Sequence, residues 1–226
     1  MRRVIVMVPI KTMLAHRANY GTKRGGDVEW IVMHYTANDG DSDTSNGRYF
    51  QQPLNPVASA HFFVDDDSIT ISVPEDYVAF HCGAYHYIHP FCRNYNSIGI
   101  EMCDAKRDGR IMATAKTIDN AADLAAMLCE KYNIPVDHII RHYDVTGKLC
   151  PKYWVDNPQG IVRFRNMVKE RIEMVSKCKM IIDGKEIEVE RILKDGTNYI
   201  KIRDIAKALD LDVSNKGNIP ILSKKG

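Results

Sequence analysis

The feature that most constrains this chain is Trp30–Tyr35, in the run EWIVMHYTA, where every residue but one is apolar or aromatic. Such a run reads as a buried strand ending in a polar loop. The exception is His34, which therefore stands near the carboxyl end of that strand, where loops from neighbouring strands converge.

Other segments extend the pattern. SAHFFVDDDSITISV alternates apolar with polar residues and is broken by Asp65–Asp67, which predicts a hairpin with His61 near its start. In NSIGIEMC, Ser97–Met102 is a second short apolar run; Gly99 permits close backbone approach, and Glu101 interrupts the apolar pattern. From Thr114 to Tyr132, apolar residues at Ile118, Ala121, Ala122, Ala125, Leu128 and Tyr132 predict a helix, with Thr114 as its N-cap. DHIIRHYDV follows as a strand whose last residues include His142, and Gln159–Val175 is a second helical stretch. Strands alternating with helices predict an α/β domain with a mixed central β-sheet flanked by helices.

Beyond Lys177 the pattern becomes short strands and turns. It reads as strand Met180–Ile182, turn Asp183–Gly184, strand Glu186–Val189, turn Asp195–Gly196, strand Tyr199–Ile202, helix Arg203–Leu209 and a last strand near Ile219–Leu222. With 226 residues, the expectation is a catalytic domain over 1–176 and a small α+β module over 179–226.

Charge narrows the partners. Lys and Arg number 31 against 29 Asp and Glu, which argues against a nucleic-acid binder. No stretch approaches the roughly 20 apolar residues of a membrane span, so no membrane insertion is expected. The opening MRRVIVMVPI lacks a small-residue cleavage site and does not read as a secretory signal. Of the six cysteines, five read as buried apolar residues or free thiols, and only Cys150 has chemical company.

That company is RHYDVTGKLCP, which brings His142, Lys148 and Cys150 into nine residues. Zinc accepts imidazole nitrogen and thiolate sulfur, and a catalytic site takes three protein ligands with one position open. His142 and Cys150 supply two, and His34 is the best candidate for the third. Taken alone, a histidine and a cysteine eight positions apart are equally compatible with two unrelated polar residues of a loop.

IVMHYTAN, SAHFFVDDD, VAFHCG, NSIGIEMC and RHYDVTGKLCP, in that order, resemble the type 2 N-acetylmuramoyl-L-alanine amidase family, which includes phage endolysins and peptidoglycan-recognition proteins. The resemblance covers roughly residues 25–155. It implies the peptidoglycan-recognition-like fold and one zinc ion per chain, held by His34, His142 and Cys150. It also implies Glu101 and Lys148 as the catalytic pair, with His81 and His61 lining the substrate groove; Asn96 joins them as a candidate substrate contact. Where some members carry a catalytic tyrosine this chain has Ala60, which leaves the chemistry to Glu101 and Lys148.

The implied reaction is hydrolysis of the amide between N-acetylmuramic acid and L-alanine in peptidoglycan, by a phage or prophage endolysin or an autolysin. The implied place of action is the cell wall, reached by release through a holin-type pore. The alternatives are a non-catalytic peptidoglycan-binding or regulatory protein on the same fold, and a structural zinc protein with His61 as fourth ligand. The tail, through IDGKEIEV and DGTNYIKIRDIAKAL, resembles the stalk-like modules related to the N-terminal domain of copper amine oxidases, but 179–226 holds no His or Cys to bind copper. Wall binding or a homodimer through this module is the expectation.

Overall fold

The structure, a computed structural model, describes residues 8–107, 109–173, 176–194, 197–217 and 219–225. The opening run through Met7, the expected helix end at Val175 and the turn Asp195–Gly196 lie outside the described residues. The described chain divides into two compact units, one running through Lys169 and one starting at Glu170.

In chain order the first unit contains β1 (Ile10–Thr12), β2 (Tyr20–Lys23), β3 (Trp30–Tyr35), α1 (Asp43–Phe50), β4 (Phe62–Val64), β5 (Ile69–Ile71), β6 (Tyr77–Ala79), β7 (Ser97–Met102), β8 (Ala105–Arg107), β9 (Arg110–Met112), α2 (Ala115–Tyr132), β10 (Ile139–Arg141), α3 (His142–Thr146), α4 (Lys152–Asp156) and all but the last turn of α5 (Gln159–Ile172). Six strands form one sheet in the order β1-β5-β4-β7-β3-β10. Only the β4–β5 hairpin is antiparallel, so the sheet is mixed, as the alternating pattern predicts.

The hairpin turn is built by Asp65, whose Oδ1 accepts from the backbone N–H of Asp67 and Ser68, both at 2.9 Å. Self-capping of this kind accounts for the acidic run. Asp66 instead accepts from the hydroxyls of Thr114 and Thr117, which ties the turn to the start of α2. Thr114 is the N-cap of α2, accepting from Thr117 N–H at 3.0 Å, and Asn133 closes the helix in the left-handed conformation. The helix packs on β4 and β7 through an alanine-rich face with Leu124 and Leu128, all fully buried.

β3 and β7 run parallel in the register Trp30↔Ser97, Val32↔Gly99, His34↔Glu101. Because side chains alternate along a strand, His34 and Glu101 share one face with Trp30, Val32, Ser97 and Gly99. Trp30 and Val32 pack there with Cys82, Cys92, Ile140 and Val145. The site is thus set on one face of the sheet, at the carboxyl ends of its central strands.

The second unit has an antiparallel sheet β11 (Ser176–Ile182), β12 (Lys185–Lys194), β13 (Thr197–Ile200), then α6 (Ile202–Ala208) and a ribbon β14 (Leu211–Lys216), β15 (Ile219–Lys224). Asp183 and Gly184 both have positive φ, 48° and 76°, the conformation a tight two-residue hairpin requires. Val189 and Ala206 are its buried apolar residues among those described. The strand β14 has no counterpart in the sequence reading.

Candidate metal centre and active site

Three strands deliver the central groups. β10 lies beside β3 with Arg141 opposite Met33, so the next residue, His142, comes level with His34. The sequence reading kept His142 in the strand, whereas it is the first residue of α3. The cause is Asp144, which accepts from Arg141 N–H at 2.9 Å and from the Arg141 guanidinium at 3.0 and 2.6 Å. This clamp turns the chain off the sheet and aims the His142 ring back towards His34, with ring centroids 4.7 Å apart. The following loop returns Cys150 to the same place, where its carbonyl accepts from Tyr143 N–H at 3.0 Å.

His34, His142 and Cys150 are all buried, and their donor atoms lie within 4.8 Å of one another. The Cys150 Sγ is 3.7 Å from His34 Nδ1, and Glu101 Oε1 is 3.9 Å from that same nitrogen. His142 Nδ1 and Glu101 Oε2 are buried without a hydrogen-bond partner. Orphaned donors and acceptors of this kind are rare inside proteins and call for a ligand. Two imidazoles and a thiol facing one point are a donor set suited to a borderline-soft cation, so the residues present fit a zinc ion. Among the described residues no other group of His, Cys, Asp and Glu meets the geometry of a metal site.

Electrostatics suit the same purpose. Burial, followed by the charge of Lys148, pushes the His142 pKa down to about 3, and burial holds His34 well below the ordinary imidazole value. Both rings therefore keep a free lone pair at neutral pH. Burial raises the Cys150 thiol to about 12 and the Glu101 carboxyl to about 8, with Lys148 pulling Glu101 back down. Glu101 remains reachable, its side chain 21% exposed. Lys148 is exposed on the loop, yet close enough for its charge to bear on His34, His142 and Glu101.

The residues expected to touch substrate sit differently. His61 is fully buried: Gly99 N–H donates to its Nδ1 at 3.0 Å, and its Nε2 lies 2.6 Å from the Arg24 guanidinium and 3.1 Å from the Tyr77 carbonyl. Asn96, 5% exposed, braces the preceding turn by accepting from Arg93 N–H and donating to Glu29. His81 lies behind His34, its Nδ1 3.0 Å from His34 Nε2. Their polar atoms are thus engaged by the protein's own groups. Ser97, which the sequence reading passed over, stands 3.1 Å from the other side of the His81 ring; its place two and four residues before Gly99 and Glu101 on one strand face was the available signal.

The fold and this centre define a class, an α/β protein with a buried His, His, Cys cluster beside a carboxylate. Residues 24–153, more than half the chain, match the family described as N-acetylmuramoyl-L-alanine amidase (Amidase_2), and the chain belongs to that family. It is 35% identical over 199 residues to the N-acetylmuramoyl-L-alanine amidase CwlL of Bacillus licheniformis, covering 84% of this chain and 54% of that one. It is 36% identical over 165 residues to BlyA of Bacillus subtilis strain 168, covering 67% and 44%. A solved mutant endolysin from Bacillus subtilis shares the fold with a TM-score of 0.59 at 28% identity, over 72% of this chain and 99% of that one. The chain spans about half the length of the curated relatives it matches. Among the described residues, no helix is long and apolar enough to cross a membrane.

Proposed function

We propose that this chain is a zinc-dependent N-acetylmuramoyl-L-alanine amidase that cuts the amide between N-acetylmuramic acid and L-alanine in peptidoglycan. The observation that carries the proposal is the meeting of His34, His142 and Cys150 from distant parts of the chain, with the half-buried Glu101 beside them. One zinc per chain, held by these three residues, would supply Lewis acidity towards water and a carbonyl oxygen.

The chain's own groups then divide the remaining work. Glu101 takes a proton from the attacking water as its oxygen bonds to the carbonyl carbon. It returns that proton to the departing nitrogen as the C–N bond breaks. Burial raises this carboxyl in the metal-free chain, and a zinc ion beside it would return it to the carboxylate that can accept the water's proton, as general acid–base catalysis requires. Lys148 stabilises the negative oxygen that develops in between.

In this reading the protein acts at the bacterial wall as an endolysin or autolysin, with the catalytic domain over 1–176 and a small module over 179–226 that binds wall or dimerises. Purified wall incubated with the chain should yield new amino termini on L-alanine. Reducing sugar ends without free L-alanine termini would make it a glycosidase, and binding without either product would make it a non-catalytic wall-binding protein.

A further inference from the structure

We propose that His81 and Ser97 are positioning residues that fix His34 in its Nε2–H form and thereby hold the Nδ1 lone pair towards the metal position. This rests on the metal-centre reading given under Proposed function.

A chain of hydrogen bonds carries the inference, and with a neutral His81 it has only one consistent direction. The Arg93 carbonyl can only accept, and Ser97 Oγ lies 2.6 Å from it, so the Ser97 hydroxyl spends its one proton there. Ser97 Oγ must then accept from His81 Nε2 at 3.1 Å. A neutral imidazole carries one ring proton, so His81 Nδ1 is left as an acceptor. It faces His34 Nε2 at 3.0 Å, and His34 is the donor there. With its proton spent, His34 has a bare Nδ1, the nitrogen that faces Cys150 Sγ at 3.7 Å and Glu101 Oε1 at 3.9 Å. Reversing the direction would set Ser97 Oγ and the Arg93 carbonyl against each other as two acceptors without a proton.

The His81 ring is held in place from several sides. It lies against β7 at Gly99, where an added Cβ would meet its Cγ at 2.6 Å and its Nδ1 at 2.8 Å, so no larger residue leaves room for it. The Asn94 Oδ1 accepts from the backbone N–H of His81 and Cys82 at 3.2 and 2.8 Å, which fixes the loop. Orientation of a metal-binding histidine through its second nitrogen commonly falls to a carboxylate or carbonyl. Here a carboxylate would add negative charge beside Glu101 and the Cys150 thiolate, whereas an imidazole backed by a hydroxyl orients the ring without charge.

The test uses the full chain, wild type and with His81→Leu, His81→Asn and Ser97→Ala. Zinc affinity is read by chelator competition, and the His34 tautomer of the metal-free protein by long-range proton–nitrogen NMR correlation. An asparagine Oδ1 stands close to where His81 Nδ1 was and can accept from His34, whereas leucine cannot. The expectation is Nε2–H His34 in the wild type and in His81→Asn, with near wild-type zinc affinity in the latter. His81→Leu should bind zinc about 10–100-fold more weakly, with the His34 tautomer mixed. Ser97→Ala should mix the His81 tautomer and weaken zinc in the same direction, and it decides the matter should His81→Leu fail to fold. A metal-free wild type with His34 protonated on Nδ1, or a folded His81→Leu that binds zinc as tightly as the wild type, would overturn the inference. A wild type that binds no zinc would instead sink the metal-centre reading, and the NMR result would still report on the hydrogen-bond direction.

Discussion

Loading the centre with zinc should release between about one and about two protons at pH 7, and Glu101→Gln should lower that number towards one. With the thiol raised by burial to about 12, Cys150 is fully protonated in the metal-free chain and gives up one proton on ligation. Burial sets Glu101 at about 8, which leaves it about nine-tenths protonated at pH 7, and a dication beside it drives that proton off as well. His142, near 3, and His34, also lowered by burial, are already neutral and release nothing. Because protons leave on binding, raising the pH strengthens it. Each proton released raises apparent affinity about tenfold per pH unit, or about 1.4 kcal/mol. Titration calorimetry in two buffers of different ionisation enthalpy counts the protons directly. Release near zero would mean that Cys150 is not a ligand, and equal release from wild type and Glu101→Gln would mean that zinc binding leaves the charge of Glu101 unchanged.

Three further outcomes follow from particular contacts. Glu101→Gln should keep zinc but lose about 10²–10⁴-fold in wall hydrolysis, read as L-alanine termini released per minute; a wild-type rate would remove Glu101 as the base. Gly160→Ala would bring a Cβ to within 2.2 Å of the Trp154 ring, a clash between α4 and α5 that should cost about 1–3 kcal/mol in chemical denaturation, and an unchanged midpoint would contradict it. Burial raises the Asp104 pKa to about 7 although Ala37 N–H and the Thr36 hydroxyl donate to it. A carboxyl whose pKa is raised on folding contributes stability that is full below its unfolded value near 4 and is lost as pH rises through about 7. Denaturation midpoints should therefore fall more steeply between pH 4 and 7 for wild type than for Asp104→Asn, and parallel curves would refute the assignment.

What the sequence made legible follows from periodicity and caps. The helix α2 shows a regular apolar repeat and a threonine N-cap, and the structure begins it one residue after Thr114. The β4–β5 hairpin was readable because alternation stops at an acidic turn that folds on its own side chain. By contrast, α1 escaped the sequence reading because it is short and polar, with Asp43, Asn46 and Gly47 as its buried residues. It is held by the Asp43 carboxylate, which accepts from Ser68 and Thr70 hydroxyls at 3.0 and 2.7 Å, contacts about 25 residues away that no local pattern reveals.

The site divides the same way. His34, Glu101, His142 and Cys150 stood out as polar residues at the ends of apolar runs or packed into one short loop, and the structure brings all four together. The inward turn of His61, Asn96 and His81 was hidden, because a histidine that accepts from a backbone N–H and one that faces a groove look alike in a sequence. The break at His142 was hidden too, since it depends on a clamp between Arg141 and Asp144 within an otherwise strand-like run.

The most direct test of the central claim is the metal content of the full chain purified without chelator, measured together with that of Cys150→Ser. Convergence of His34, His142 and Cys150 on one ion requires one zinc per wild-type chain and a loss of zinc in the variant. A wild-type chain that hydrolyses wall while carrying no metal, or a Cys150→Ser chain that keeps its zinc undiminished, would contradict it.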